Sequence, residues 1–426
     1  MRSSARRGPP GSRCPRRCPA DRLARAARSR AGPAADAAVV GLVSLAHFFS
    51  HLYILALPPI FPVLAHELGV GVAALGLVLG ALNLTTILCQ PPLGFLVDRI
   101  GAAPVLIAGH LLMAAAIAAI GLAPGYPALI ACAIAAGLGN AVYHPADYAI
   151  LGARVRSDRV GRAFAVHTFG GYLGFAAAPI TIVALTGLAG WRTALLLAGG
   201  AGLGVGLLLL AFHRLLSSPP GARRPKGEAG RADRRLLASG PVLLALLFFV
   251  LLALGHGGIT GFTPIVLERS RGLELAAANL PLAAFLVAST PGVLFGGWVA
   301  DRLGRHGLVV ATCSTVIAGV AGIAGFASPS LPLLVLLFAL GGLAAGIIAP
   351  SRDMLVKAVT PPGASGRVFG FVMIGFNLGG LIAPPAYGFL VDAGRPELVF
   401  LAVALVSLLT VATVGGTAGR QPAAAR

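Results

Sequence analysis

Nine polar side chains stand out because they lie inside stretches that are otherwise apolar: His47, His51, Asn140, Tyr143, His144, His167, Tyr172, His256 and Asn377. An imidazole, amide or phenol in apolar surroundings is costly unless hydrogen-bonded, so these groups either pair with one another or face a wet cavity. On a helix, His47, Ser50 and His51 occupy adjoining positions, and Asn140 and His144 lie four apart on one face with Tyr143 beside them. Imidazoles can hold a polar solute and can exchange protons near neutrality. The reading finds no Lys or Arg at that middle depth. A phosphate or dicarboxylate would want such a fixed cation, so a neutral, amphipathic or cationic solute is favoured. For any one of these residues packing with a local hydrogen bond is the simpler reading; for the set, a binding cavity is.

A second group is charged and repeated. Gly94 to Gly101 reads GFLVDRIG and Gly297 to Gly304 reads GWVADRLG. Both are GxxxDRxG turns between long apolar runs, and they carry Asp98, Arg99, Asp301 and Arg302. The repeat extends further. Gly161-Arg162-Ala163-Phe164 is echoed by Gly366-Arg367-Val368-Phe369, Gly174 with Ala178-Pro179 by Gly379 with Ala383-Pro384, and His51 by His256, all at nearly one offset. A parallel repeat of this kind implies two similar bundles related by an axis along the membrane normal. Asp147, in YHPADYAI, and Arg352-Asp353, in APSRDML, take near-matching places at the ends of the fourth and tenth apolar segments. Ionisable groups there need partners; Arg99 is expected for Asp147, and Arg302 for Asp353.

These residues are carried by a chain of 426 residues that is 57% hydrophobic and 11% charged, far too apolar for an ordinary soluble domain. Windows of about 20 apolar residues divide it into six plus six segments. The expected class is an all-α membrane protein with twelve transmembrane helices in two pseudo-symmetric six-helix bundles. Residues 1–36 read as a disordered basic tail, 37–213 as the first bundle, 214–238 as a linker, 239–417 as the second bundle and 418–426 as a short tail. Of the 33 Lys and Arg, 29 fall in the termini and the even-numbered gaps, leaving only Arg192, Arg269, Arg271 and Arg395 on the other side. The positive-inside rule then places both termini in the cytoplasm. The net charge of +19 records topology, and no nucleic-acid partner is expected. Residues 1–33 hold ten Arg and one acid without an apolar run before a cleavage site, so no secretory signal is read there. Cys14 and Cys18 lack a second Cys or His pair, and no nucleotide fingerprint, GxSxG or HExxH occurs. No metal, cofactor or enzymatic activity is expected. Paired glycines beside Pro179, and beside Pro384 and Pro385, are expected to let the fifth and eleventh helices bend.

The doubled GxxxDRxG turn, the twelve segments and the long central linker resemble the major facilitator superfamily over roughly residues 38–416. The resemblance implies that helices 1, 4, 7 and 10 line a central cavity, that 2, 5, 8 and 11 flank it, and that 3, 6, 9 and 12 brace it. It implies transport by alternating access, a monomer being sufficient. It also implies a cytosolic gate of Gly94, Asp98, Arg99, Gly101, Asp147, Gly297, Asp301, Arg302, Gly304, Arg352 and Asp353. In it Asp98 faces the amino end of helix 11, and Asp301 that of helix 5 near Gly161. The first turn departs from the family by having Ala102 and Ala103 where basic residues are usual. The HPAD segment is similar to that of bacterial fosmidomycin-resistance exporters, and GFAAAP, Gly174 to Pro179, partly matches the GxxxGP of drug exporters. Together these imply proton-coupled export of an amphipathic, drug-like small molecule across a bacterial cytoplasmic (inner) membrane. The alternative is a proton-coupled importer of a sugar or organic acid.

Overall fold

The computed structural model describes residues 33–156, 159–217, 235–361 and 365–418. Nearly all of the amino-terminal tail, most of the 214–238 linker and the end of the chain lie outside the described residues. α1 runs through Pro33–Ile54, a 3-10 turn at Pro58–Ile60 and Phe61–Leu68. α2 is Val72–Ile100, α3 Ala102–Gly121, and α4 consists of Tyr126–Asn140 and Tyr143–Arg154. The helical run Val160–Ala211 contains 52 residues, about 78 Å if straight. That is more than twice a bilayer's hydrocarbon core. It turns at Gly190, where φ is 78°, a value open to glycine at little steric cost. Residues 160–189 are therefore α5 and 191–211 are α6. The second half comprises α7 (Gly240–Arg271), α8 (Leu275–Leu303), α9 (His306–Phe326), α10 (Leu331–Ala358), α11 (Ser365–Asp392) and α12 (Glu397–Ala418). The twelve-helix, all-α expectation holds.

The internal repeat is written in the backbone as well as in the side chains. Among the described residues six glycines have positive φ, and they pair across the halves: Gly69 with Gly272, Gly101 with Gly304, and Gly190 with Gly394. Each member ends a helix or turns the chain between helices, where an L side chain would be strained.

Within the first half α1 packs on α5, α2 on α4, and α3 on α4 and α6; in the second, α7 packs on α11 and α12, and α8 on α10. Between halves, α2 meets α11 and α5 meets α8. Glycine sets the α2–α11 spacing: a Cβ on Gly76 would strike the Pro384 carbonyl, and one on Gly388 would come 2.5 Å from the Ala73 Cα. In lipid, close backbone approach of this kind takes over the role that the hydrophobic effect plays in water. The Asn279 amide of α8 donates to the Pro59 carbonyl at 2.9 Å, and the Phe61 and Phe262 rings lie 6.0 Å apart. These contacts involve the start of α2, the end of α11 and the middle of α1, all at one face. Asp98, Arg99, Asp301 and Arg302 are exposed at the other face. The halves are thus closed at the face opposite the GxxxDRxG turns.

One side chain seals that closure. Asp392, the last residue of α11, accepts the backbone N–H of Val72 at 2.7 Å and of Ala73 at 2.8 Å. Its carboxylate caps the positive amino end of α2 from the other half. Gly71 precedes α2 without a side-chain cap of its own, and a Cβ there would come 2.6 Å from Asp392 Oδ2. In Asp392→Ala, spin labels at positions 66 and 393 are expected to show a larger share of long distances. Hydrogen bonds to a charged acceptor contribute about 1.5–3 kcal/mol, discounted here for exposure. A distance distribution identical to that of the unaltered chain would show that the cap does not hold this face shut.

Candidate functional site

Proline builds the local geometry. Pro145 has no N–H and its ring crowds the carbonyl of Ala141, and α4 breaks there, between Asn140 and Tyr143. Asp147, on the piece after this interruption, is fully buried. His167 of α5 places Nε2 3.1 Å from Asp147 Oδ2, and His47 of α1 places Nδ1 3.5 Å from the same oxygen. The His47 and His167 rings are 3.8 Å apart between centroids, His47 and His51 4.3 Å, and His47 and His144 5.7 Å. Glycine again makes room: a Cβ on Gly171 would strike the His51 imidazole and come 2.9 Å from His47 Cδ2, and one on Gly174 would strike the Phe48 carbonyl. α5 can lie against the histidine face of α1 only because these positions are bare.

The cluster is open on one side. His144 and Tyr148 are exposed, with their rings 5.9 Å apart and Tyr148 5.8 Å from His167. Tyr148 lies within electrostatic reach of Arg352 and Asp353 on α10, so this opening faces the second half. His51 stacks on Phe175 at 4.3 Å. The Phe175 ring lies 6.3 Å from His256 on α7, and His256 6.1 Å from Phe285 on α8. The repeat-related pair His51 and His256 is thereby linked through one phenyl ring.

Other expected members are placed elsewhere. Tyr143 is buried with its hydroxyl 2.8 Å from His110 Nδ1, while His110 Nε2 lies 2.9 Å from the Gly202 carbonyl. The carbonyl can only accept, so Nε2 carries the proton and the Tyr143 hydroxyl donates to Nδ1. This relay ties α4 to α3 and α6 away from the opening. Asn140 donates to Thr86 Oγ1 at 3.3 Å, tying α4 to α2. Tyr172 is half-buried within electrostatic reach of Arg352. Asn377 is half-buried on α11, and among the described residues no contact joins it to the cluster.

The charged set departs most from expectation. Asp147 pairs with histidines rather than Arg99, because its carboxylate is buried against α1 and α5 while Arg99 is exposed. Arg302 lies over the Trp298 ring at 5.0 Å, while Asp353 pairs with its neighbour Arg352 at 2.8 Å. The side chain of Arg352 is only 18% exposed, with its guanidinium 5.3 Å over Phe249 and 5.1 Å over Phe376. Arg352 is the repeat partner of Asp147, so a fixed cation does stand opposite the histidines. Among the described residues neither Asp98 nor Asp301 has a hydrogen bond or ion pair, in keeping with halves parted at that face. Gly94 packs towards Pro145, its Cβ position 3.9 Å from Pro145 Cβ, and nothing approaches a Cβ on Gly297 within 4 Å. Gly101 and Gly304 close α2 and α8.

With neutral imidazoles the cluster carries one negative charge, and a single added proton cancels it. A second proton would place like charges within about 4–6 Å in a poorly solvated site, which disfavours it. The arrangement can therefore hold and release one proton beside a space open to the second half.

The family model described as Major Facilitator Superfamily matches residues 43–329 and 267–422. The fosmidomycin resistance protein of Escherichia coli K12 is 26% identical over 388 residues, covering 88% of this chain and 92% of its own length. The multi-drug resistance efflux pump PmrA of Streptococcus pneumoniae is 26% identical over 342 residues, covering 77% of this chain and 83% of its own. Among solved structures, a bacterial homologue of the human lysosomal transporter Spinster, inward-facing and occupied, superposes with a TM-score of 0.75 at 15% identity over 90% of this chain and 97% of that one. At that identity the likeness shows the fold alone.

The glycine contact is open to a direct check. Gly171→Ala is expected to destabilise the protein by about 1–3 kcal/mol, as overpacking does, read as a lower thermal midpoint in detergent. Gly187→Ala, where nothing lies within 4 Å of the added carbon, is expected to leave the midpoint unchanged or raise it. Equal midpoints for Gly171→Ala and the parent would mean that the α1–α5 crossing is not tight.

Proposed function

Because the chain belongs to the major facilitator superfamily, and so is a non-enzymatic membrane transporter of small molecules, we propose that it is a proton-coupled exporter of amphipathic compounds. The observation that carries this reading is the buried Asp147 carboxylate shared by His47 and His167 at an opening towards the other half. A carboxylate at such depth is expensive unless compensated. A proton and a substrate that alternately compensate it would be coupled by that cost. Export is supported by the relatives' names, resistance protein and efflux pump.

In this reading the face bearing the GxxxDRxG turns is cytoplasmic, as the basic residues suggest, the bacterial inner membrane is the setting, and one chain suffices. The closure at the opposite face then makes this conformation inward-open. Asp98 and Asp301 act when the halves rock, capping α11 and α5 and biasing the equilibrium towards the outward-open state. His51, His144 and His256 line the substrate's path with Tyr172 and Asn377. Asn140 and Tyr143 hold the α4 break in place.

A second reading, uptake of an organic acid, is favoured by Arg352, whose half-buried guanidinium offers a fixed partner for a carboxylate or sulfonate. One experiment separates the two. In acid-loaded proteoliposomes, amphipathic antibacterials added outside are expected to alkalinise the lumen, and Asp147→Asn is expected to abolish the signal. Silence towards every antibacterial together with a response to organic acids, lost in Arg352→Gln, would transfer the protein to the second reading. A full antibacterial response in Asp147→Asn would remove the cluster from proton coupling.

A further inference from the structure

The same cluster has the ligand set and spacing of a metal centre. His47, Asp147 and His167 each offer one donor atom, all three within 4.8 Å of one another and all buried. A tetrahedral ion with bonds of about 2.0–2.1 Å sets its ligands about 3.3 Å apart. The two separations from Asp147 Oδ2, 3.1 and 3.5 Å, bracket that edge. Hydrogen bonding within the cluster leaves it under-satisfied: Asp147 Oδ1 and the Nδ1 atoms of His47, His51 and His167 are buried without a hydrogen-bond partner. Orphaned buried polar atoms are uncommon, and one of these, His47 Nδ1, is 3.5 Å from Asp147 Oδ2 with no hydrogen-bond partner.

We propose that His47 Nδ1, His167 Nε2 and Asp147 Oδ2 bind a divalent transition-metal ion of the Zn2+ class. Two imidazoles and a carboxylate select Zn2+, Co2+ or Ni2+ over Mg2+ and Ca2+, which favour all-oxygen sites. Three protein ligands leave a fourth position for water or for a donor group of a solute. His144, exposed and with its ring 5.7 Å from that of His47, stands on the side from which a solute arrives. The sequence hid this site because its ligands come from three helices at spacings no local motif records. The assignment rests on ligand geometry and is independent of the direction or coupling of transport. Protons and the ion would compete for the same lone pairs.

The test uses the full-length chain in detergent, titrated with Co2+ alone. Visible absorption bands of four-coordinate Co2+ are expected to saturate at one ion per chain, to vanish on adding Zn2+ and to survive Mg2+. Zn2+ is expected to raise the thermal midpoint by mass action. His167→Gln and Asp147→Asn, both close in shape to the originals, are expected to weaken Co2+ binding about 100-fold or more, since losing even a supporting group costs 10–100-fold. His66→Ala, at an exposed histidine outside the cluster, is expected to bind as the parent does. Absence of the bands would overturn the proposal. So would bands that persist in His167→Gln and Asp147→Asn, which would assign the ion to surface histidines such as His66 and His213.

Discussion

The burial of one carboxylate governs the first half of this molecule. Asp147 lies in a bilayer-spanning bundle with no accessible surface, and an uncompensated charge there would cost several kcal/mol. Everything adjacent can be read as compensation. α4 is interrupted between Asn140 and Tyr143, just before the acid. α1 and α5 each deliver an imidazole to the same carboxylate oxygen. Gly171 and Gly174 remove the side chains that would keep those helices apart. The compensation is incomplete, since Oδ1 has no partner. In the proposed function that incompleteness leaves the cluster a place for a proton, an ion or a solute.

The two halves share a backbone plan but not a polarity. Positive-φ glycines recur in pairs, yet the slot that holds Asp147 in one half holds Arg352 in the other. The imidazoles gather in the first half, and only His256 of the second takes part. A solute between the halves would meet a proton-accepting wall on one side and a guanidinium cushioned on Phe249 and Phe376 on the other. Duplication supplies the frame, and divergence at a few slots supplies an electrical axis across the cavity.

Apolar length and the doubled turn were enough to read twelve helices and two halves, because both are local properties of the chain. The imidazole set was legible from depth alone. What stayed hidden depends on direction. Asp147 was expected at the mouth beside Arg99; its partners are instead His47 and His167, on helices whose packing against α4 no spacing along the chain records. Tyr143 and Asn140 share a face with His144 on an ideal helix, but they precede or begin the new piece and turn to α3 and α2. His110 belongs to a bracing helix, and only its contact with Tyr143 shows why a histidine sits in that apolar run. Asp392 did carry a signal: GFLVD occurs twice, at Gly94 to Asp98 and at Gly388 to Asp392.

That duplicated pentapeptide gives the α2–α11 pair a reciprocal form. At the closed face the aspartate ending α11 caps the start of α2. At the parted face the aspartate ending α2 is exposed, and the proposed gate has it cap the start of α11. The observed contact and the proposed one are each a carboxylate on a helix amino end, and each is available only when its own face is shut. With the proposed Asp98 cap, the two caps would exclude one another and define a two-state element that a ligand with differential affinity for the two states could shift. In the proposed mechanism the exchange between faces is poised by matching chemistry at the two ends of one helix pair, and the proposed protonation of the Asp147 cluster biases which end is shut.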